Sequence, residues 1–355
     1  MRDELCVTQY GVRNTRYENM LKDIAVSNSP HISKPLSTRA VMVDVVIGLV
    51  PAMAAAGYYF RVRALILPAA CVISSLAAEW LCNLIRKKPN SLGDFSAVVT
   101  GIILALSLPP ALPVWTAVIG SVFSIAIGKM VFGGLGANIF NPAMVGRAFL
   151  AASFGMLMTT WTVPATIPAP ISEICPENNV EARTQATPLA WSKMAIKDKD
   201  GAKIYSKQQF SATVTGEVGG CLGETSVIAL LLGGIYLLLR RTINFHIPLA
   251  VLLSAFVFAA VFYLVDSDAY MQPFFHLSSG GLLLCAFFIA TDPVTAPLTR
   301  RGMWLFGIGI GTITMLIRIV GGYPEGVMYS VLLMNAVTPL IDRLCKRIPA
   351  GGKLS

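Results

Sequence analysis

Ten apolar runs separated by short polar stretches dominate the chain and predict a bundle of membrane-crossing helices. They lie near residues 40–60, 64–85, 95–110, 113–132, 143–160, 225–239, 245–265, 273–291, 302–320 and 325–341. A helix needs about 20 residues to cross the hydrocarbon core. Several runs are nearer 15, so some helices are expected to be short, tilted or broken. Residues 159–224 break the pattern, because they carry Glu173, Glu177, Glu181, Arg183, Lys193, Lys197, Asp198, Lys199, Asp200, Lys203, Lys207, Glu217 and Glu224 among prolines and glycines. Such a long connection among short ones is usually functional. The first 39 residues are polar and mixed in charge, with no short apolar core followed by a small-residue cleavage site, so they read as a cytoplasmic extension rather than a signal peptide.

This pattern divides the chain into an N-terminal extension at 1–39, a first five-helix membrane unit at 40–158, an extracytoplasmic segment at 159–224, a second five-helix unit at 225–342 and a cytoplasmic tail at 343–355. Basic residues orient it, since Lys and Arg in short loops face the cytoplasm. With the N-terminus inside, inner loops hold Arg86-Lys87-Lys88, Lys129, Arg240-Arg241 and Arg300-Arg301, and the inner tail holds Arg343, Lys346, Arg347 and Lys353. Outer short loops hold only Arg61, Arg63 and Arg318. Both termini are therefore expected to be cytoplasmic. Trp80, Trp115, Trp161 and Trp304 fall at predicted span ends, where amphipathic rings prefer to sit.

Composition narrows the class. Hydrophobic residues make up 55% of the 355 positions and charged residues only 13%, with a mean hydropathy of +0.66. Soluble domains carry about 25% charged residues, so a water-soluble enzyme is excluded and membrane lipid becomes the expected surrounding. The 7 cysteines lack CxxC spacing, and no His or Cys/His cluster has metal-ligand spacing. The net charge of +9 reads as cytoplasmic loops rather than a nucleic-acid surface.

Two echoes link the halves. Gly93-Asp94-Phe95-Ser96 is matched by Gly223-Glu224-Thr225-Ser226, and Asn141-Pro142-Ala143 by Asp292-Pro293-Val294. Five spans per half would make these inverted repeats, an architecture that puts sites near the midplane between broken helices.

Candidate chemistry follows from costly residues. The glycines of 133–136, followed by Asn141-Pro142, suggest either an unwound helix whose free backbone groups hold an ion or anionic cofactor, or a tight inner loop. Ionisable residues within spans are functional candidates by default. Asp44, Glu79, Asp94 and Asp292 map to cytoplasmic helix ends and form a candidate ion path, with Asp44 and Glu79 furthest inside; Arg318 and Glu325 map to the outer side. Carboxylates suit a hard cation such as Na⁺ or a proton, although such residues can also reach the interface by snorkelling. Arg147 is a candidate for a phosphate contact or a carboxylate pair. The methionines, Cys71, Cys82 and Cys285 read as apolar filler.

Thr184-Gln185-Ala186-Thr187-Pro188-Leu189, together with the blocks 133–150, 290–297 and 321–342, makes the chain resemble the D subunit of the Rnf ion-translocating electron-transport complex. The likeness to the B subunit of the Na⁺-translocating NADH:quinone reductase is more distant. The resemblance covers about residues 40–345 and implies an all-α polytopic protein with ten helices in two inverted five-helix repeats, like urea transporters. It also implies an FMN joined through a phosphoester to Thr187, the last residue of an S/T-G-A-T motif, with Thr184 and Ala186 kept and Gln185 in place of the usual glycine. A separate flavin transferase makes that bond, for which an exposed, free hydroxyl is expected. Asn141 and Arg147 are further cofactor-binding candidates. A noncovalent riboflavin is known in the related reductase subunit. The resemblance implies Rnf subunits A, B, C, E and G as partners, and partner subunits are expected to hold the ferredoxin and NAD⁺ sites, since this chain has no iron–sulfur cysteine motif and no nucleotide-binding domain. The implied role is a flavoprotein subunit of an ion-translocating ferredoxin:NAD⁺ oxidoreductase. The competing readings are the reductase B subunit, a passive solute channel on the same fold, and a scaffold.

Overall fold

A computed structural model describes residues 37–161, 187–198, 213–216, 218–224, 226–323 and 325–346, and every regular element among them is helical. Ser37 opens the bundle: its hydroxyl accepts a hydrogen bond from the Ala40 N–H and caps α1, Thr38–Phe60. Arg61 then turns the chain with φ 50° into α2, Arg63–Ile85. At about 1.5 Å per residue each of these 23-residue helices is about 35 Å long.

The next run forms only α3, Ser96–Leu106, behind a 3₁₀ turn at Leu92–Asp94. That is about 16 Å of helix, short of the expected 95–110 span. Pro109, Pro110 and Pro113 end it, since proline has no N–H to continue the ladder. The non-helical stretch 107–113 is largely buried, and the Leu222 N–H donates to the Leu108 carbonyl at 3.0 Å. Irregular backbone at membrane depth is tolerated where protein encloses it in this way. α4, Val114–Ile125, runs into a π turn at Ala126–Met130. Gly133, Gly134 and Gly136 follow with positive φ. Asn141 then caps α5, Pro142–Ser153, accepting from the N–H groups of Ala143 and Met144 at 3.1 and 3.3 Å.

After α6, Pro188–Asp198, and a 3₁₀ turn at Leu222–Glu224 come α7, Val227–Leu239, and α8, His246–Val265. The 273–291 run is broken into α9, Pro273–Ser278, and α10, Leu282–Leu284, which continues as a second π turn at Cys285–Ile289. Gly280 at the break has φ 70°. The bundle closes with α11, Arg300–Ile319, and α12, Val327–Leu344.

Among the described residues, α1, α2, α8, α11 and α12 are long and apolar enough to cross a membrane. Less than half of each apolar window is buried within the chain, so residues such as Ile73, Leu232, Val257, Val261 and Leu333 face outward. An apolar exterior around a packed interior is the arrangement lipid stabilises. Inside, Leu49, Leu67, Leu104, Leu106, Met144, Phe288 and Phe306 belong to one continuous core. Packing there is close: a Cβ on Gly233 of α7 would lie 1.9 Å from the Gly48 carbonyl oxygen of α1.

Candidate functional site

Two polar clusters interrupt this core, and α3 runs from one to the other: Ser96 belongs to the first, and Leu106 packs on Gly223 in the second.

The second cluster surrounds Thr187. Its hydroxyl caps α6, accepting from the Ala190 N–H at 3.2 Å, and the residue is 6% exposed. The exposed hydroxyl expected from sequence is therefore not what folds, because capping the helix draws it inward. Thr187 lines a pocket with Trp161, Glu224, Ser279, Gly280 and Glu325. Beneath it Arg147 of α5 is ion-paired with Glu325, so of the two roles open to this arginine the carboxylate pair is the one formed. The Gly281 N–H donates to the other oxygen of Glu325 at 3.0 Å. Arg318 of α11 donates to the carbonyls of His276 and Ser279 at 2.7 and 3.1 Å, which satisfies the broken backbone between α9 and α10. Ser279 Oγ is buried with no partner among the described residues. Thr184, Gln185 and Ala186 lie outside the described residues.

Burial and the Glu325 carboxylate beside it push Glu224 up to about 8, against the pull of Arg147. For Glu325 burial acts in the same direction, but Arg147 and Arg318 outweigh it and hold this carboxyl low. Glu224 is thus neutral near neutral pH while Glu325 is ionised. Cys221 completes the group, with its Sγ 3.5 Å from Arg147 and burial pushing its thiol up. The sign of the pH effect follows from Glu224. The folded chain keeps this proton up to about pH 8, and the unfolded chain only to its ordinary 4.5. This contribution is complete below 4.5 and is lost as pH rises through 8. The melting temperature in detergent is expected to fall between about pH 5 and about pH 8, and Glu224→Gln should flatten that slope. A variant with the wild-type slope would assign it to another group.

The first cluster joins α2, α3 and α4. Glu79 pairs with Lys129 at 2.7 Å, Lys129 also donates to Ser96 Oγ at 2.6 Å, and Ser96 Oγ donates to Asp94. Asn83 donates to Ser91 at 2.9 Å, and Ser91 donates to Glu79. A cavity beside it is lined by Ser96, Lys129, Asn138, Asn141, Thr242 and Asp292. Asn141 donates across the bundle to the Ile289 carbonyl at 3.3 Å, and Asp292 accepts from Val294 and Thr295. Of the four candidate carboxylates, Glu79 and Asp94 share one network, and Asp292 faces the adjoining cavity. Asp44 stands apart at the end of α7, bonded to Tyr236, Arg240 and Thr242 at 3.3, 3.3 and 2.9 Å.

Sequence reasoning counted Lys129 among the inner-loop charges, yet it is 1% exposed inside the π turn. The available signal was its position between apolar neighbours on both sides. Glu224 was counted with the polar outer segment and missed as a half-buried carboxylate beside Arg147 and Glu325.

Known proteins match nearly the whole chain. Residues 25–351 match the NQR2, RnfD, RnfE family. The D subunit of the Na(+)-translocating ferredoxin:NAD(+) oxidoreductase complex of Acetobacterium woodii is 45% identical, over 91% of this chain and 94% of its own. Its counterpart in the proton-translocating ferredoxin:NAD(+) oxidoreductase complex of Clostridium ljungdahlii is 39% identical, over 92% and 96%. The D subunit of the ion-translocating oxidoreductase complex of Actinobacillus succinogenes is 37% identical, over 92% and 97%. The chain, helical in every described element and with five helices long and apolar enough to cross a membrane, therefore belongs to the NQR2, RnfD, RnfE family.

Proposed function

We propose that this chain is the membrane flavoprotein subunit of an ion-translocating ferredoxin:NAD⁺ oxidoreductase, with FMN esterified to Thr187 and electron passage coupled to Na⁺ or H⁺ movement. The observation that carries the reading is the Thr187 hydroxyl at the N-cap of α6, within a pocket of the membrane bundle. A phosphate ester there would meet the N-terminal end of an 11-residue helix, where free N–H groups and the helix dipole favour an anion. The residues fit this group. Glu224 stays neutral, Arg147 neutralises Glu325, and Ser279 Oγ is unpaired beside them. When bound, the flavin supplies one-electron carriage. The chain's own residues orient it: Trp161 offers a ring at the pocket wall, the Gly280 backbone lets it approach closely, and the Arg147–Glu325 pair fixes the floor.

Cations would enter at the other cluster, through Glu79, Asp94 and the cavity bordered by Asp292, with Asp44 outside this group. Thr184 and Ala186 would complete the attachment motif recognised by the flavin transferase. Rnf subunits A, B, C, E and G would hold the ferredoxin and NAD⁺ sites. We read the ten runs as two inverted five-helix repeats with both termini cytoplasmic. Support comes from the breaks at 107–113 and 291–297, where Pro109 and Pro113 are answered at the same interval by Pro293 and Pro297. Further support comes from α2 on α4 and α4 on α5 matching α8 on α11 and α11 on α12. These counterparts fall in a different register from the Gly93 and Asn141 echoes. The decisive experiment is the intact mass of the chain matured with a flavin transferase: a gain of one FMN supports the reading, and the bare mass rejects it.

A further inference from the structure

Lys129 is a buried charge that the Thr187 chemistry does not use. In the described residues its ammonium contacts only oxygen, Glu79 Oε1 at 2.7 Å and Ser96 Oγ at 2.6 Å. Ser91 bonds the same Glu79 oxygen, and Ser96 bonds Asp94. Two carboxylates and two hydroxyls are the donors a hard cation takes. Glu79 Oε2, fully enclosed, has no partner among the described residues.

We propose that Lys129 is a tethered counter-ion that holds the place of the transported cation on Glu79, and that ion uptake requires its ammonium to withdraw into the adjoining cavity toward Asp292. The proposal rests on the reading that Glu79 lies on the cation path. A buried carboxylate left without positive charge is strongly unfavourable. Exchanging the ammonium for a cation keeps the site neutral, whereas adding a cation beside it would not. Lysine suits the task because it is a compact charge on a flexible stem, with none of the planar fork that fixes arginine in place. The stem of Lys129 already borders the cavity, and Asp292 borders the same space as a second anion. Its backbone lies in a π turn, an irregularity frequent at functional sites. With the ammonium on Glu79 the mouth is closed to ions, which would prevent leakage between turnovers.

The test uses the assembled complex in inverted membrane vesicles, with ferredoxin-dependent NAD⁺ reduction titrated against Na⁺ at fixed pH and against pH at fixed Na⁺. Removing a competitor that fills the site about nine-tenths of the time lowers the half-saturating cation concentration about tenfold. Lys129→Met is expected to show that shift in the titration to which the wild type responds, together with fewer ions moved per electron and unchanged flavin fluorescence. Lys129→Gln keeps hydrogen bonds to Glu79 and Ser96 without the charge, and it carries the test if Lys129→Met does not accumulate. Wild-type half-saturation in either variant, alongside an altered Glu79→Gln, overturns the role of Lys129 alone. An unaltered Glu79→Gln overturns the cation path and this inference with it. If the Lys129 variants accumulate only when combined with Glu79→Gln, the pair is structural and the inference fails.

Discussion

Thr187→Ala is expected to abolish covalent flavin completely while leaving the bundle folded. The phosphoester needs Oγ, and alanine has none. The same oxygen caps α6 by accepting from the Ala190 N–H, and losing an N-cap of this kind costs about 1 kcal/mol. That local cost falls on one helix of the 159–224 segment. Thr187→Ser keeps both hydroxyl and cap and should retain the flavin. Denaturing gels under ultraviolet light, with intact mass on the same samples and a flavin transferase co-expressed, give the readout. A fluorescent Thr187→Ala band would move the attachment elsewhere, and a dark wild type would favour a channel. Because Thr187 is 6% exposed in the folded chain, attachment has to precede docking of α6 or follow its release. Trapping α6 against α11 before the transferase acts should therefore block labelling. The Lys193 side chain, which donates to the Gly321 carbonyl at the end of α11, marks where such a cross-link belongs.

Arg147→Met is expected to be the most destabilising single change in the pocket. It leaves Glu325, only 15% exposed, without its closest positive partner, and removing one member of a buried pair costs about 3–5 kcal/mol. Arg318 compensates only in part: its charge also lowers Glu325, but its two Nη groups already donate to the carbonyls of His276 and Ser279. Adding Glu325→Met should recover most of the loss, since paired apolar replacement removes the stranded charge. Arg147→Lys should recover only part, because an ammonium lacks the planar multi-donor fork. Thermal unfolding in detergent measures all three. An Arg147→Met protein within about 0.5 kcal/mol of wild type, the range of ordinary surface changes, would mean that the pair does not hold the pocket floor.

The membrane class and most helix positions were legible because lipid imposes a plain requirement, long apolar runs with charges in short loops. The breaks were legible in part. Pro109 and Pro110 lie inside the expected 95–110 span yet end α3 early, a signal the hydropathy pattern overrode, and Gly133, Gly134 and Gly136 left an unwound helix and a tight inner loop equally open. The break at Ser279–Gly281 had a local signal in Ser278-Ser279-Gly280-Gly281, which the single 273–291 run passed over; the Arg318 side chain from another helix satisfies its carbonyls. Thr187 came from a motif and from resemblance, not from spacing. Lys129 shows the limit of a counting rule: at the end of an apolar run the same residue reads equally as a loop charge or a buried partner, and only Glu79, fifty positions earlier, decides which.

Sequence by itself determined that this chain lives in a membrane, that it is helical, and that it belongs to its family, because those properties follow from composition, periodicity and long matching blocks. Tertiary structure decided which charges meet. Glu79 with Lys129, and Arg147 with Glu325, are far apart along the chain, and a buried ion is stable only where folding brings its opposite within contact distance. It also decided that the Thr187 hydroxyl points inward, since capping a helix is a demand of the folded backbone that hydropathy does not record.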